Sequence, residues 1–362
     1  MVALMNRFLL LDIGAGTLDV LYYEAKSSLY YKAVVRSPVL TAAEKAEATR
    51  GNLLVKGVEM GGGPISEVLA ERARQAHVVM SVSAATTIHH DPERVRALGI
   101  EILGDDEAEG MASDPTYTTV TLGDLEIDRI ERIVHAFGVS FSFDAVGICA
   151  QDHGVPPPGV SHLDFRHAIF KSRLDESPFP HHLLFRNDEI PVHFNRLKSI
   201  AGSAEKIPAH EIYVMDSGMA AILGASLDAQ ARSKRKTLVL DIATSHTVGA
   251  TFEEGEVAGF FEYHTRDITL ERLEELMVDL ANGKLEHQRI LQEGGHGAYI
   301  RKALGFKALE MIVATGPKRR LVEGSLLAVH PGAPLGDNMM TGTAGLFEAI
   351  RRRHGLEAVP GW

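Results

Sequence analysis

The sequence predicts an α/β protein with two lobes built from a duplicated unit. Three observations carry this prediction. An apolar strand, an Asp, a short turn and a second apolar strand run from Phe8 to Tyr23, and the same order recurs from Thr237 to Phe252. Short apolar runs alternate with alanine-rich or amphipathic stretches along the chain, the pattern of strands interleaved with helices. The 362 residues exceed one ordinary domain of roughly 100–200 residues.

Taken in order, Phe8-Leu9-Leu10-Leu11-Asp12-Ile13 reads as a buried strand and Gly14-Ala15-Gly16-Thr17 as its turn. Glycine at such a turn removes the Cβ that would keep a ligand from the backbone N–H groups. Residues 41–50 read as a helix, Leu53-Leu54-Val55 as a strand, and Ser66 to Ala73 as a helix behind Gly61-Gly62-Gly63-Pro64. His77 to Val82 is a strand, the acidic stretch 103–115 a surface loop, and Ile127 to Phe137 a helix. Ala145 to Ala150 is a buried strand that stops at Gln151-Asp152-His153-Gly154, as open α/β sheets present functional groups at strand carboxyl ends. Residues 155–210, rich in Pro and His and weak in periodicity, read as an irregular insertion or lid. Ile212 to Met215 is a strand and Asp216 to Ala231 a helix. Thr237 to Ile242 opens the second unit, with the turn Ala243-Thr244-Ser245-His246-Thr247, a strand to Phe252, a hairpin at Glu254-Gly255 and a strand to Tyr263. Thr269 to Ala281 is an amphipathic helix, Met311 to Ala314 a strand ending at Thr315-Gly316-Pro317, and Met340 to Arg353 a closing helix. The lobes expected are residues 1–235 with 339–362 returning to them, and residues 236–338.

Composition narrows the function. With 37 Lys+Arg against 48 Asp+Glu the net charge is −11, which disfavours sequence-independent nucleic-acid binding. The single cysteine, Cys149, excludes an internal disulfide framework, a four-cysteine zinc site and an iron–sulfur cluster held by this chain alone. No apolar run approaches the ~20 residues that span a bilayer. Asp12 interrupts the one N-terminal run that resembles a signal core, so the expected compartment is the cytoplasm.

At this point the residues resemble a family. Asp12-Ile13-Gly14-Ala15-Gly16-Thr17 is similar to the first phosphate loop of the actin, heat-shock-chaperone and sugar-kinase ATPases. Met219 to Asp228 resembles their first interlobe helix, Asp241 and its turn the second phosphate loop, and Val313-Ala314-Thr315-Gly316-Pro317 the adenosine loop. Asn338 to Gly345 resembles the second interlobe helix. The five elements stand in family order across most of the chain. Residues 146–154 also resemble a sugar-kinase strand near the acceptor. The chain most resembles a prokaryotic branch labelled "putative pyruvate formate-lyase activating enzyme". A radical activase needs three cysteines for its cluster, so that chemistry is not expected of this chain.

The resemblance implies a duplicated actin-like (ribonuclease-H-like) fold around a nucleotide cleft, with ATP and Mg²⁺ as ligands. Asp12 and Asp241 would hold a hydrated Mg²⁺ through its waters. Gly14, Gly16 and Thr17 would donate to the phosphates, and Thr315, Gly316 and Pro317 would take the nucleoside. The second phosphate loop lacks glycine, leaving Thr244, Ser245, His246 and Thr247 as side-chain donors. Asp152, which ends a strand, is the first choice of acid/base group, His153 the second and Asp216 the third, with Gln151 also placed in the catalytic set. Expected partners are a small-molecule acceptor or a partner enzyme. The rival readings are an ATP-driven reactivase and a non-catalytic binding module. The pairs His89-His90, His162/His167 and His181-His182 with His193 show no recognised zinc spacing. Cys149 reads as a packing residue, and Arg232–Lys236 and Arg351–Arg353 as solvated basic runs.

Overall fold

The computed structural model describes residues 5–157 and 159–359, so Pro158 and the last three residues of the expected C-terminal segment fall outside the described residues. β1 (Arg7–Ile13), β2 (Thr17–Glu24) and β3 (Leu29–Arg36) form an antiparallel meander. Phe8 to Leu11 are fully buried, as an apolar run in a strand covered on both faces must be.

Residues 38–122 then build a separate layered unit. It comprises α1 (Pro38–Ala48), β4 (Asn52–Gly57), α2 (Pro64–Ala73), β5 (Val78–Ser81), α3 (Val82–Ala85), α4 (Pro92–Arg96), β6 (Glu101–Leu103), α5 (Asp105–Gly110) and β7 (Tyr117–Leu122). Its strands are all parallel, in the order β6-β5-β4-β7, over their own apolar core. The surface loop expected over 103–115 is corrected to α5: Asp105, Asp106 and Glu107 fill the first turn, where the positive end of the helix dipole favours them.

α6 (Ile127–Ala136) leads back to the first sheet, where β8 (Phe143–Ala150) pairs parallel with β1. The stretch read as irregular instead carries α7 (His162–Glu176), β9 (Leu184–Arg186) and α8 (Asn195–Ala204) before β10 (Ala209–Asp216). The physical reason lies in α7. It buries only Arg166, Phe170 and Leu174, a narrow stripe at four-residue spacing, and an arginine at its head hides the periodicity. The first sheet is thus β3-β2-β1-β8-β10-β9. Asp216 caps α9 (Ser217–Ser226), accepting from the N–H groups of Gly218 and Met219. The helix stops short of Ala231 because Asp228 turns its carboxylate onto the N–H groups of Gln230 and Ala333.

The second unit repeats the first. β11 (Lys236–Ile242), β12 (His246–Glu253) and β13 (Glu256–His264) form the meander. α10 (Leu270–Ala281), α11 (His287–Gln292), β14 (Gly297–Ile300), β15 (Met311–Thr315) and β16 (Val329–Pro331) follow, giving the order β14-β13-β12-β11-β15-β16. β15 runs parallel to β11 as β8 does to β1, and β16 to β15 as β10 to β8. Two copies of this meander-plus-parallel order make the chain a duplicated actin-like, ribonuclease-H-like fold.

α12 (Thr341–Arg353) returns to the first sheet and crosses α9. The crossing is backbone on backbone. A Cβ at Gly224 would stand 1.8 Å from Thr341 O, and one at Gly345 would stand 1.8 Å from Ala220 O, so both positions need glycine. Phe347 then packs edge-on against Phe8 and Tyr23, closing the main core.

Candidate functional site

A cleft of ≈ 650 Å³ opens between the ends of the two repeated sheets and the inserted unit. Its floor is the pair of matching hairpin turns. In one, Gly14 N donates to Thr17 O at 3.0 Å; in the other, Ala243 N donates to His246 O at 3.0 Å. Ser37 straps the first turn, donating through Oγ to Gly14 O at 2.7 Å and through N to Gly16 O at 3.1 Å. The turns touch: a Cβ on Gly16 would meet Thr244 Cγ2 at 3.2 Å.

Three carboxylates converge beneath these turns. Asp12 and Asp19 face each other across β1 and β2, and Asp241 holds the position in β11 that Asp12 holds in β1. Burial pushes Asp12 up to about 6, helped by the negative field of Asp216 and opposed by a hydrogen bond with the Cys149 thiol. Burial and then the Asp12 charge push Asp19 up to about 8. Burial and Asp12 push Asp241 up to about 7, against a 3.1 Å hydrogen bond from Thr315 Oγ1. None of the three makes an ion pair among the described residues, and Asp19 Oδ1 is buried with no hydrogen-bond partner. Mutually repelling, buried oxygens without a cation are the donor set a hard, oxygen-seeking ion takes. Cys149, fully buried beside Asp12, has its thiol pushed well up by burial, so it packs rather than reacts.

The Gln151–His153 turn lines the neighbouring wall. Asp152 is buried, and both its oxygens are engaged: Oδ1 accepts from Gly154 N at 2.7 Å and Oδ2 from Leu197 N at 2.9 Å, in the first turn of α8. Burial still lifts it to about 6. Burial, then the Arg166 charge, holds His153 well below the usual imidazole range, and its Nε2 has no partner. Gln151 donates to Glu262, and its carbonyl accepts from Arg196 Nη1 at 2.8 Å.

Arg166 joins the two repeats. It reaches Asp216 Oδ2 at 2.8 Å on the first sheet and Glu262 Oε2 on β13 of the second. Burial raises Asp216 despite this partner, whereas the Arg166 charge holds Glu262 well below the usual carboxylate range against its own burial.

The cleft wall thus brings together Asp12, Gly14, Gly16, Thr17, Gln151, Asp152, His153, Asp241, Thr244, Ser245, His246, Gly316 and Pro317. Three named residues stand behind it. Thr247 turns its hydroxyl to Thr265 at 3.0 Å, Thr315 turns to Leu240 O and Asp241, and Asp216 is occupied by Arg166 and the α9 cap. Gly316 sits against the start of α12, its carbonyl accepting from Asn338 Nδ2 at 2.9 Å.

Sequence reasoning missed Asp19, Arg166, Glu262 and a histidine cluster. Asp19 reads as a polar residue inside an apolar strand; only its register opposite Asp12 reveals it. His246, His264 and His296 are far apart in sequence. They meet because β12 starts where β13 ends, with His246 opposite His264, and because His296 N bonds Glu262 O at 2.9 Å just before β14. Burial lowers His246 to about 4 and shifts His264 down as well.

No curated protein matches the chain. Among solved structures, a hexokinase of the ROK family from Thermus thermophilus is 14% identical, with 96% of this chain and 99% of that one covered and a TM-score of 0.30. A protein with an actin-like ATPase fold from Bacteroides thetaiotaomicron is 8% identical over 95% and 96% of the two chains, at a TM-score of 0.38. The activator of 2-hydroxyisocaproyl-CoA dehydratase from Clostridium difficile, solved with ADPNP, is 8% identical over 98% and 100%, at 0.30. The repeated strand order described above, rather than these overlaps, defines the fold. Residues 60–321 match the family described as "Putative pyruvate format-lyase activating enzyme (DUF1786)", and with more than half of its length inside that match the chain belongs to this family.

Proposed function

We propose that the cleft binds a magnesium nucleotide between the two hairpin turns, and that the protein transfers or hydrolyses its terminal phosphate. The observation that carries this reading is the convergence of Asp12 and Asp241, from matching strands of the two repeats, with Asp19 opposite Asp12; Asp19 and Asp241 are buried, Asp12 partly so, and none has a cationic partner among the described residues. Asp12 and Asp241, with Asp19 behind Asp12, would hold the hydrated magnesium ion, which supplies charge neutralisation for the phosphates. The N–H groups of the Gly14–Thr17 turn and the hydroxyls of Thr17, Thr244 and Ser245 would bind the phosphate chain. Gly316 and Pro317 would bound the nucleoside. The acceptor would lie toward Gln151 and His153. In this reading the lobes comprise residues 1–235 with 339–362, and 236–338, and closing them excludes water.

The family's label describes a chemistry that this chain's single cysteine does not support: Cys149 is buried in β8, and three thiolates are needed. A second reading, a nucleotide-binding module without turnover, is favoured by one observation. Both Asp152 oxygens already accept backbone N–H groups, which suits a positioning role better than proton transfer.

Calorimetric titration of metal-stripped protein with ATP, with and without Mg²⁺, tests the first reading. Binding should require Mg²⁺ and weaken at least ~100-fold in Asp12→Asn, as loss of a buried charge-assisted contact of about 3 kcal/mol implies. Equal affinity in a folded Asp12→Asn protein sinks it. ADP release that persists in a folded Asp152→Asn variant would assign Asp152 to positioning.

A further inference from the structure

We infer that His246, His264 and His296 form a binding site for one zinc-type divalent transition ion, on the wall of the cleft and separate from the carboxylate cluster. One ring nitrogen of each lies within 4.8 Å of the others. The rings form a closed triangle, with centroid separations of 4.8 Å for His246–His264 and 4.5 Å for both His246–His296 and His264–His296. His264 Nε2 and His296 Nε2 stand 3.1 Å apart. Two imidazole nitrogens bound to one tetrahedral zinc at about 2.0–2.1 Å are about 3.3 Å apart, so this edge already has nearly the coordination spacing.

The polar accounting points the same way. His246 Nε2 is buried with no hydrogen-bond partner. A buried donor or acceptor left unmet costs about 1–3 kcal/mol, and a shared ion would satisfy it. Behind the triangle, Glu262 Oε1 lies 3.2 Å from His296 Nδ1, which makes no hydrogen bond in this arrangement, so a small turn of the ring would pair the two. A carboxylate on the far nitrogen of a metal-bound histidine is the usual outer partner, fixing ring orientation and raising ligand basicity. Glu262 is in turn fixed by Arg166 and Gln151. The loop that carries His296 is held tightly. A Cβ at Gly295 would stand 2.6 Å from Ile290, and one at Gly297 would stand 2.4 Å from the His287 ring.

Three nitrogen ligands without a thiolate or a ligating carboxylate suit zinc, cobalt or nickel rather than magnesium or calcium, which take oxygen. All three histidines line the cleft together with Gln151 and His153, so an ion they held would keep a fourth position for water or for an oxygen of a ligand bound in the cleft. This is the arrangement of a site that acts on a ligand rather than of a closed structural one.

Cobalt(II) titration of the metal-stripped full chain tests the site, followed by zinc loading and X-ray absorption at the zinc edge. One equivalent should bind with the intense visible bands of four-coordinate cobalt, and the zinc shell should be dominated by imidazole. His264→Ala and His296→Ala should each lose that equivalent, while His182→Ala, in a separate histidine pair, keeps it. Asp12→Asn should also keep the cobalt spectrum, which separates this site from the nucleotide reading. The proposal is overturned by the absence of a stoichiometric equivalent, by a weak octahedral spectrum with an oxygen shell, or by full binding in folded His264→Ala. Should His264→Ala fail to fold, the spectra of the unsubstituted protein decide.

Discussion

Asp19 is the residue on which the electrostatics of the cleft turn. Its acid group is held protonated up to about 8 in the fold against an ordinary value near 4, so the folded state binds more protons than the unfolded chain between those limits. Stability from this group is therefore fully present near pH 4 and lost as pH rises through about 8. Without divalent ions, Asp19→Asn should melt higher than the unsubstituted protein at pH 8, by several degrees, with the gap closing toward pH 5. A gap independent of pH would place the Asp19 charge elsewhere. Magnesium should narrow the gap by binding the ionised form. Arg166 makes the complementary case. Replacing it with Met leaves Asp216 and Glu262 buried without their cation, a loss of about 4 kcal/mol by analogy with broken buried ion pairs, measurable by urea denaturation. Asp12 and Asp241 were legible in the sequence because each ends an apolar strand before a turn. Asp19, Arg166 and Glu262 were not, since one lies within a strand and the others gain meaning only from partners 50 and 96 residues away.

At the scale of elements, the crossing of α9 and α12 has no room for a methyl group. Gly345→Ala should cost about 3 kcal/mol, at the upper end for overpacking, because the obstacle is the Ala220 carbonyl and not a movable side chain. A thermal melt unchanged from the parent would show that the helices can separate freely. The repeated strand–Asp–turn–strand units were visible from sequence, since alternation of apolar runs and turn residues is a local signal. The parallel sheet of residues 52–122 was not visible as a sheet. Its strands are short apolar runs whose pairing order depends on contacts distant in the chain. The helix α7 escaped notice because an arginine occupies the head of its buried stripe.

For the whole molecule, both hairpin turns, Gly316 and the inserted unit face one cleft, so one ligand can contact all of them. Magnesium nucleotide should slow amide hydrogen exchange in the β1–β2 and β11–β12 turns together, while leaving the core of the inserted sheet unchanged. Protection of only one turn would separate the two halves functionally. The dominant core has a further consequence for how the chain is made. Phe8 on β1 and Phe347 on α12 pack against each other at 5.2 Å, and Gly147 of β8 sits under Leu346 and Ile350. Those partners are separated by some of the longest spans in the chain. During synthesis β1–β3 emerge first, ending at Arg36, β8 and β10 follow by Asp216, and the apolar face they build stays uncovered until α12 begins at Thr341. The inserted unit, whose contacts are local, can mature meanwhile. A nascent chain arrested before residue 341 should expose the β1–β8 surface to chaperones, and release of α12 should end that association.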